Sequence, residues 1–232
     1  MPQERIVVED ERALAETGAK WIIDAIRETV REQGHCALAL AGGATPRLVY
    51  QRLARTPRVP WIKVAIFFTD ERAVPPDHPD SNYRMAFESL VSQLPIPPAQ
   101  VHRMEAESDD LSEAARIYAT LLPEPLDVVL LGMGADGHTA SLFPYAPALG
   151  ESARRVVPVR GGEPLLQRLT ITPPVIEGAR RVLVLAGGAH KADIVARALA
   201  PGPDDIMEMP VQLARERTWL LDREAAAKLT GA

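Results

Sequence analysis

The sequence predicts an α/β protein, a largely parallel, twisted sheet with helices on both faces. Three observations point to it. Short apolar runs recur at 35–41 (HCALALA), 64–69 (VAIFFT), 128–131 (VVLL) and 181–186 (RVLVLA), each with the length and composition of a strand buried on both sides. Segments of helical periodicity separate them, so strand and helix alternate along the chain, which implies right-handed crossovers between parallel strands. Glycine-rich turns follow three of the runs, at Gly42-Gly43, at Gly132, Gly134 and Gly137, and at Gly187-Gly188. Open α/β sheets bind ligands at the carboxyl ends of their strands, so the residues after each run are the candidate functional groups.

The elements can be justified in order. Residues 5–9 (RIVVE) read as a short strand, and Asp10 can cap a helix whose Leu14, Trp21, Ile22, Ile26 and Val30 recur at helical spacing until Gly34 stops it. After the strand at 35–41, Gly42 to Pro46 form a glycine turn with a possible cap and a proline opening a helix over about 46–54. The strand at 64–69 ends on Asp70-Glu71-Arg72, three charges that read as a solvated loop. A proline-rich loop at 75–80 leads to a helix begun by Ser81-Asn82. Pro95, Pro97 and Pro98 mark a connection, the best candidate for a domain boundary, but no strong boundary is seen and a single domain over 1–232 is expected. A short extended piece at 101–102 and a helix at about 108–122 follow. The strand at 128–131 runs into the glycine turn, after which Thr139 is expected to cap a short helix over 140–143 ended by Pro144. Residues 155–159 and 169–172 read as strands around Gly161-Gly162. The strand at 181–186 precedes a helix beginning near His190, and a strand at 218–221 precedes a last helix from Asp222.

Composition narrows the function classes. The chain has 232 residues, 47% hydrophobic and 25% charged, with a formal net charge of -5, which disfavours a nucleic-acid-binding surface while allowing a local basic pocket. The single cysteine, Cys36, falls in a buried strand, so neither an intramolecular disulfide nor a thiolate metal cluster is expected. No apolar run is long enough to span a bilayer, and the charged N-terminus lacks the apolar core of a signal peptide, so no membrane association and a cytoplasmic location are expected.

Four strand ends carry chemistry. Gly42-Gly43-Ala44-Thr45 lets backbone N–H groups approach an anion beside the positive end of a helix. It has neither the dinucleotide-binding glycine spacing nor a Gly-Lys-Ser/Thr, and from this segment alone a phosphate cradle and a plain tight turn stand about even. Asp70 and Arg72 leave a buried strand toward the same edge, where Arg72 can hold a phosphate or carboxylate in a forked hydrogen bond. Asp136 and His138 sit inside the third glycine turn, and a histidine can take a proton from water and return it. Lys191 lies on the turn after Gly187-Gly188, placed to meet an anion. His35, His78, His102 and His190 have no comparable setting and read as structural or exposed, and no metal-ligand spacing is present. Together these describe an anion pocket with a neutral-pH base, an enzyme acting on a small phosphorylated substrate.

The motifs LALAGGATP (38–46), FFTDERAVPPDHPDSNY (67–83), LGMGADGHTASLFP (131–144), RLTITPPVI (168–176) and VLVLAGGAHK (182–191) resemble the 6-phosphogluconolactonase family of the glucosamine/galactosamine-6-phosphate isomerase superfamily, nearly throughout and in order. The resemblance implies a three-layer α/β/α, Rossmann-like fold shared with sugar-phosphate isomerases and deaminases. It also implies hydrolysis of 6-phospho-D-glucono-1,5-lactone without a cofactor or metal, the second step of the oxidative pentose phosphate pathway. Carried over by motif, His138 is the expected general base, with Asp136 orienting it and Asp70 and Arg72 lining the pocket. Gly42, Gly43 and Thr45 hold substrate, Lys191 binds phosphate, and Asn82 and Arg168 are further binding candidates. The expected partner is the phosphorylated lactone alone, with the chain a monomer or weak homo-oligomer. A glucosamine-6-phosphate deaminase or isomerase shares GG-T and DGH. It usually continues DGH differently from Thr139-Ala140-Ser141-Leu142-Phe143 and lacks an arginine at the position of Arg72. A non-enzymatic sugar-phosphate sensor would need a DNA-binding module, for which the sequence offers no basic recognition helix.

Overall fold

In the computed structural model, residues 4–57, 59–162 and 166–229 are described. Strands β1 (Glu4–Val8), β2 (Cys36–Leu40), β3 (Val64–Phe68), β5 (Val128–Gly132), β8 (Arg181–Ala186) and β9 (Thr218–Asp222) form one six-stranded sheet in the order β1-β9-β8-β5-β2-β3, and every neighbouring pair is parallel. Strands β4 (Asp70–Arg72), β6 (Val156–Gly161) and β7 (Leu166–Ile171) form a separate antiparallel sheet in the order β4-β7-β6. Helices α1 (Glu11–Gln33), α2 (Ala44–Ala54), α3 (Asn82–Ser89), α4 (Leu111–Leu121), α5 (Pro173–Gly178), α6 (Ala192–Ala198) and α7 (Arg223–Ala226) complete the regular elements, apart from short 3-10 turns.

Strand alternation divides the interior in two. Leu38 and Leu40 of β2, Val128 and Leu130 of β5 and Leu183 and Leu185 of β8 face a core shared with Leu14, Ile22 and Ile26 of α1 and Val49, Tyr50 and Leu53 of α2. Ala37 and Ala39, Val129 and Leu131, and Val182 and Val184 point the other way, onto Tyr118 of α4, Ile176 of α5 and Ile194 and Val195 of α6. That is the three-layer α/β/α arrangement, and full burial of strand residues on both faces is why these runs are continuously apolar. Each fully buried Leu, Ile or Val contributes about 1.5–3 kcal/mol of burial free energy.

Two expectations are corrected. Asp70-Glu71-Arg72 is a strand and not a solvated loop. The chain leaves the parallel sheet at Thr69, whose N–H donates to Leu40 O (3.0 Å) and whose carbonyl accepts from Ile171 N (2.9 Å), and it then pairs with β7. Asp70 and Glu71 are buried there. Residues 140–143 form no helix. Thr139 O accepts from Leu142 N (2.9 Å), the Thr139 hydroxyl donates to Gly132 O (2.9 Å), and Ser141 N donates to Thr170 Oγ1 (3.1 Å), so the backbone is committed to a tight turn before a helix can start. The cap of α2 is also simpler than expected. Its N-cap residue is Gly43, at φ 108°, with no side-chain cap, and Thr45 sits in the first turn.

Candidate active site

Because β3, β2, β5, β8 and β9 are successive parallel neighbours, their carboxyl ends share one edge, and a cavity of about 610 Å³ opens there. Gly42, Gly43, Thr45, Asp70, Arg72, Asn82, His138, Arg168 and Lys191 all line it, and Asp136 stands directly behind His138.

The loop after β5 is folded around its glycines. Gly134 N donates to His138 O (2.8 Å), and Gly137 takes φ 85°, a conformation that favours glycine. The Asp136 carboxylate accepts from His138 N (3.1 Å) and lies 2.5 Å from His138 Nδ1. Nδ1 therefore carries the proton toward the carboxylate, and Nε2 is the ring nitrogen left to act on a ligand or water. Half-burial pushes the Asp136 carboxyl up, but the hydrogen bond and charge of His138 outweigh it and hold the group below its ordinary value. A Cβ on Gly134 would overlap both His138 Nδ1 and Asp136 Oδ1, so only glycine leaves room for this pair.

Positive charge collects on the neighbouring wall. Arg72 and Arg168 are direct cross-strand partners on β4 and β7, an arrangement that is unfavourable unless an anion joins them. Arg72 Nη1 donates to Asp80 O (2.6 Å), while its buried Nε has no hydrogen-bond partner among the described residues. Arg168 donates from Nε to Gly161 O (3.1 Å) and from Nη1 to Ser141 Oγ (3.4 Å). Burial and the Arg72 charge lower its pKa, while Asp70, Glu71 and Asp80 oppose that shift. The Phe143 ring links this wall to the dyad, with its centroid 4.8 Å from that of His138 and 5.5 Å from Arg168 Cζ. Lys191 is also held below its usual range by partial burial, with the Asp136 charge acting in the opposite sense, so lysine and dyad are within electrostatic reach of each other.

Asp70 organises the floor. Its Oδ2 accepts from Ser141 Oγ (2.6 Å) and lies 3.9 Å from Arg168 Nη1, while Asn82 Nδ2 donates to Asp70 Oδ1 (3.2 Å) and O (3.0 Å). Asn82 in turn fills the space over Gly42, where a Cβ would collide with it. Ser141 is fully buried and is not on the cavity wall, which leaves it no access as a nucleophile. Among the described residues no group of three or more His, Cys, Asp or Glu side chains could hold a metal ion.

Several residues escaped the sequence reading. His190, expected to be structural or exposed, is exposed but on the cavity rim. Asp222, where the last helix was expected to begin, caps α7 and also accepts from Gly188 N (2.8 Å), fixing the turn that carries Lys191. Glu71 was hidden in a charge triplet. Its one legible signal is alternation, because a strand that turns Asp70 and Arg72 to one side turns Glu71 to the other.

The profile of the family described as glucosamine-6-phosphate isomerases/6-phosphogluconolactonase matches residues 9–221. A 6-phosphogluconolactonase of Synechocystis is 37% identical over 242 residues, covering 98% of both chains. One of Mycobacterium tuberculosis is 39% identical over 238 residues, covering 95% of this chain and 96% of that one. Among solved structures, a 6-phosphogluconolactonase from Leishmania guyanensis superposes with a TM-score of 0.87 over the whole of both chains at 26% identity. With the family profile spanning most of its length, the chain belongs to the glucosamine-6-phosphate isomerase/6-phosphogluconolactonase family, on its 6-phosphogluconolactonase side.

Proposed function

We propose that the chain hydrolyses 6-phospho-D-glucono-1,5-lactone to 6-phospho-D-gluconate, the second step of the oxidative pentose phosphate pathway, and that the residues of the cavity carry the reaction. The observation that carries this reading is the joining, through Phe143, of an Asp136–His138 dyad to the paired guanidiniums of Arg72 and Arg168. A phosphorylated ester needs both parts, an anchor for the dianion and a base for water. Arg72, Arg168 and Lys191 hold the phosphate. Asp70, Asn82, Thr45 and the amides of Gly42 and Gly43 meet the sugar hydroxyls. His138 Nε2 takes a proton from water as its oxygen attacks C1, and Asp136 stabilises the resulting imidazolium. The tetrahedral centre then collapses, the C1–ring-oxygen bond breaks, and the imidazolium returns the proton to the departing oxygen. The chain works as one α/β domain, a monomer or weak homo-oligomer in the cytoplasm, with no cofactor. Among the described residues no helix is long and apolar enough to cross a membrane.

The test offers the purified protein two substrates. Formation of 6-phosphogluconate from the lactone, above the spontaneous rate, supports the reading. Ammonia release from glucosamine 6-phosphate would make it a deaminase, and binding of either without turnover would make it a sensor.

A further inference from the structure

The strand β4 is three residues long, and residues 73–81 after it contain no regular helix or strand before α3 starts at Asn82. Both ends of this excursion, Arg72 and Asn82, line the cavity. Such a segment does not hold its two ends in register by itself. The group that does so is Glu71, which points away from the cavity, on the opposite side of β4 from Asp70 and Arg72.

The Glu71 carboxylate is 3% exposed and accepts four hydrogen bonds. Its Oε1 accepts from Arg72 N (2.8 Å) and Asn82 N (2.8 Å), and its Oε2 from Tyr83 N (2.8 Å) and Ser81 Oγ (3.0 Å). One donor comes from the start of the segment and three from its end, so a single carboxylate closes the loop at its base. The four bonds match the acceptor capacity of an ionised carboxylate. Burial pushes the Glu71 carboxyl up, and the bonds from Tyr83, Asn82, Arg72 and Ser81 oppose that shift, so these four donors, with the more distant Arg168 charge, are what offsets the cost of burying the carboxylate. Two cavity contacts cross the same gap, Arg72 Nη1 to Asp80 O and Asn82 Nδ2 to Asp70, and both depend on the ends staying together.

We infer that Glu71 is a positioning residue for substrate binding, a clasp that holds Arg72 and Asn82 against the phosphorylated ligand without touching it. The inference rests on the lactonase reading for its substrate, while the clasp itself does not.

Glu71→Gln tests it, because the amide keeps the shape but turns one acceptor oxygen into a donor facing N–H or O–H groups. The expected result is a rise of about tenfold or more in KM for the lactone and in Kd for 6-phosphogluconate, with kcat within about threefold, the signature of lost binding common to ground and transition states. Amide hydrogen exchange should accelerate at Arg72, Asn82 and Tyr83 and stay unchanged at 132–138. Arg72→Ala should add little further loss in the Glu71→Gln background, since coupled residues are not additive. A lower Tm with wild-type KM and local exchange, or full additivity with Arg72→Ala, would overturn the clasp. Should Glu71→Gln fail to fold, Ser81→Ala removes one donor and keeps the charge. Ser81 Oγ also caps α3, accepting from Arg84 N (3.1 Å), so the readout is taken at Arg72, at the far end of the segment: a rise in KM with faster exchange there supports the clasp, and wild-type values of both refute it. Absence of lactone turnover by the wild type would refute the functional reading alone, and the exchange data, with inorganic phosphate as the probe of Arg72, would still decide the role of Glu71.

Discussion

Gly134 shows how tightly the dyad is built in. Its half-buried backbone lies where any side chain would overlap His138 Nδ1 and Asp136 Oδ1, yet its own φ is not in the left-handed region. Gly134→Ala should therefore spare the fold and displace the imidazole. We expect kcat to fall about 10²-fold, within the range of a lost general base, with Kd for 6-phosphogluconate and Tm near wild type. Steady-state kinetics with a binding titration check this. Lys191 makes a second prediction. Burial lowers its pKa, so its charge is lost as pH rises through a value below the ordinary lysine range. The affinity for 6-phosphogluconate should accordingly begin to weaken at a lower alkaline pH than an ordinary lysine would dictate. Lys191→Ala should abolish that limb of the Kd–pH curve and raise KM with little change in kcat.

At the scale of elements, two tyrosines finish the strands that bear the site. The Tyr50 hydroxyl, from α2, accepts from Ala41 N (2.9 Å) and donates to Ala41 O (2.8 Å), just past the end of β2. The Tyr118 hydroxyl, from α4 on the other face, does the same for Phe68 N (2.7 Å) and O (3.1 Å) at the end of β3. Both side chains are buried, so Tyr50→Phe leaves a buried N–H and C=O without partners and should cost about 1–3 kcal/mol in denaturant unfolding. Because Gly42 follows directly, substrate affinity should fall with it. Such features also mark how far the sequence can be read. The strands at 128–131 and 181–186 and their glycine turns were legible because burial on both faces demands unbroken apolar runs and anion-binding turns demand glycine. The antiparallel sheet was not, since β4 consists entirely of charged residues that solvent would normally claim, and contacts with distant segments, β7 and the start of α3, bury Asp70 and Glu71. The expected helix at 140–143 failed for a related reason, as Ser141 N and the Thr139 hydroxyl find distant partners that local propensity does not register.

For the molecule as a whole, the parallel sheet does the gathering. Groups separated by up to 149 residues, from Gly42 to Lys191, reach one cavity because neighbouring strands all end at the same edge. Most of the candidate residues could be named in advance for that reason, while the groups that hold them, Glu71, Ser141 and Asp222, act through contacts between segments far apart in sequence. The division of labour follows from the same layout. In the proposed mechanism the arginines and Lys191 bind and the dyad reacts, so the two functions should separate under mutation. The most direct measurement is the initial rate of 6-phosphogluconate formation by His138→Asn, above the spontaneous rate, alongside its Kd for 6-phosphogluconate. A loss of about 10²–10⁴-fold in kcat with wild-type Kd, and disappearance of the acidic limb of the kcat/KM profile, is the predicted result. Near-normal turnover by His138→Asn would contradict the assignment of the base and move it to Asp70 or Asp136.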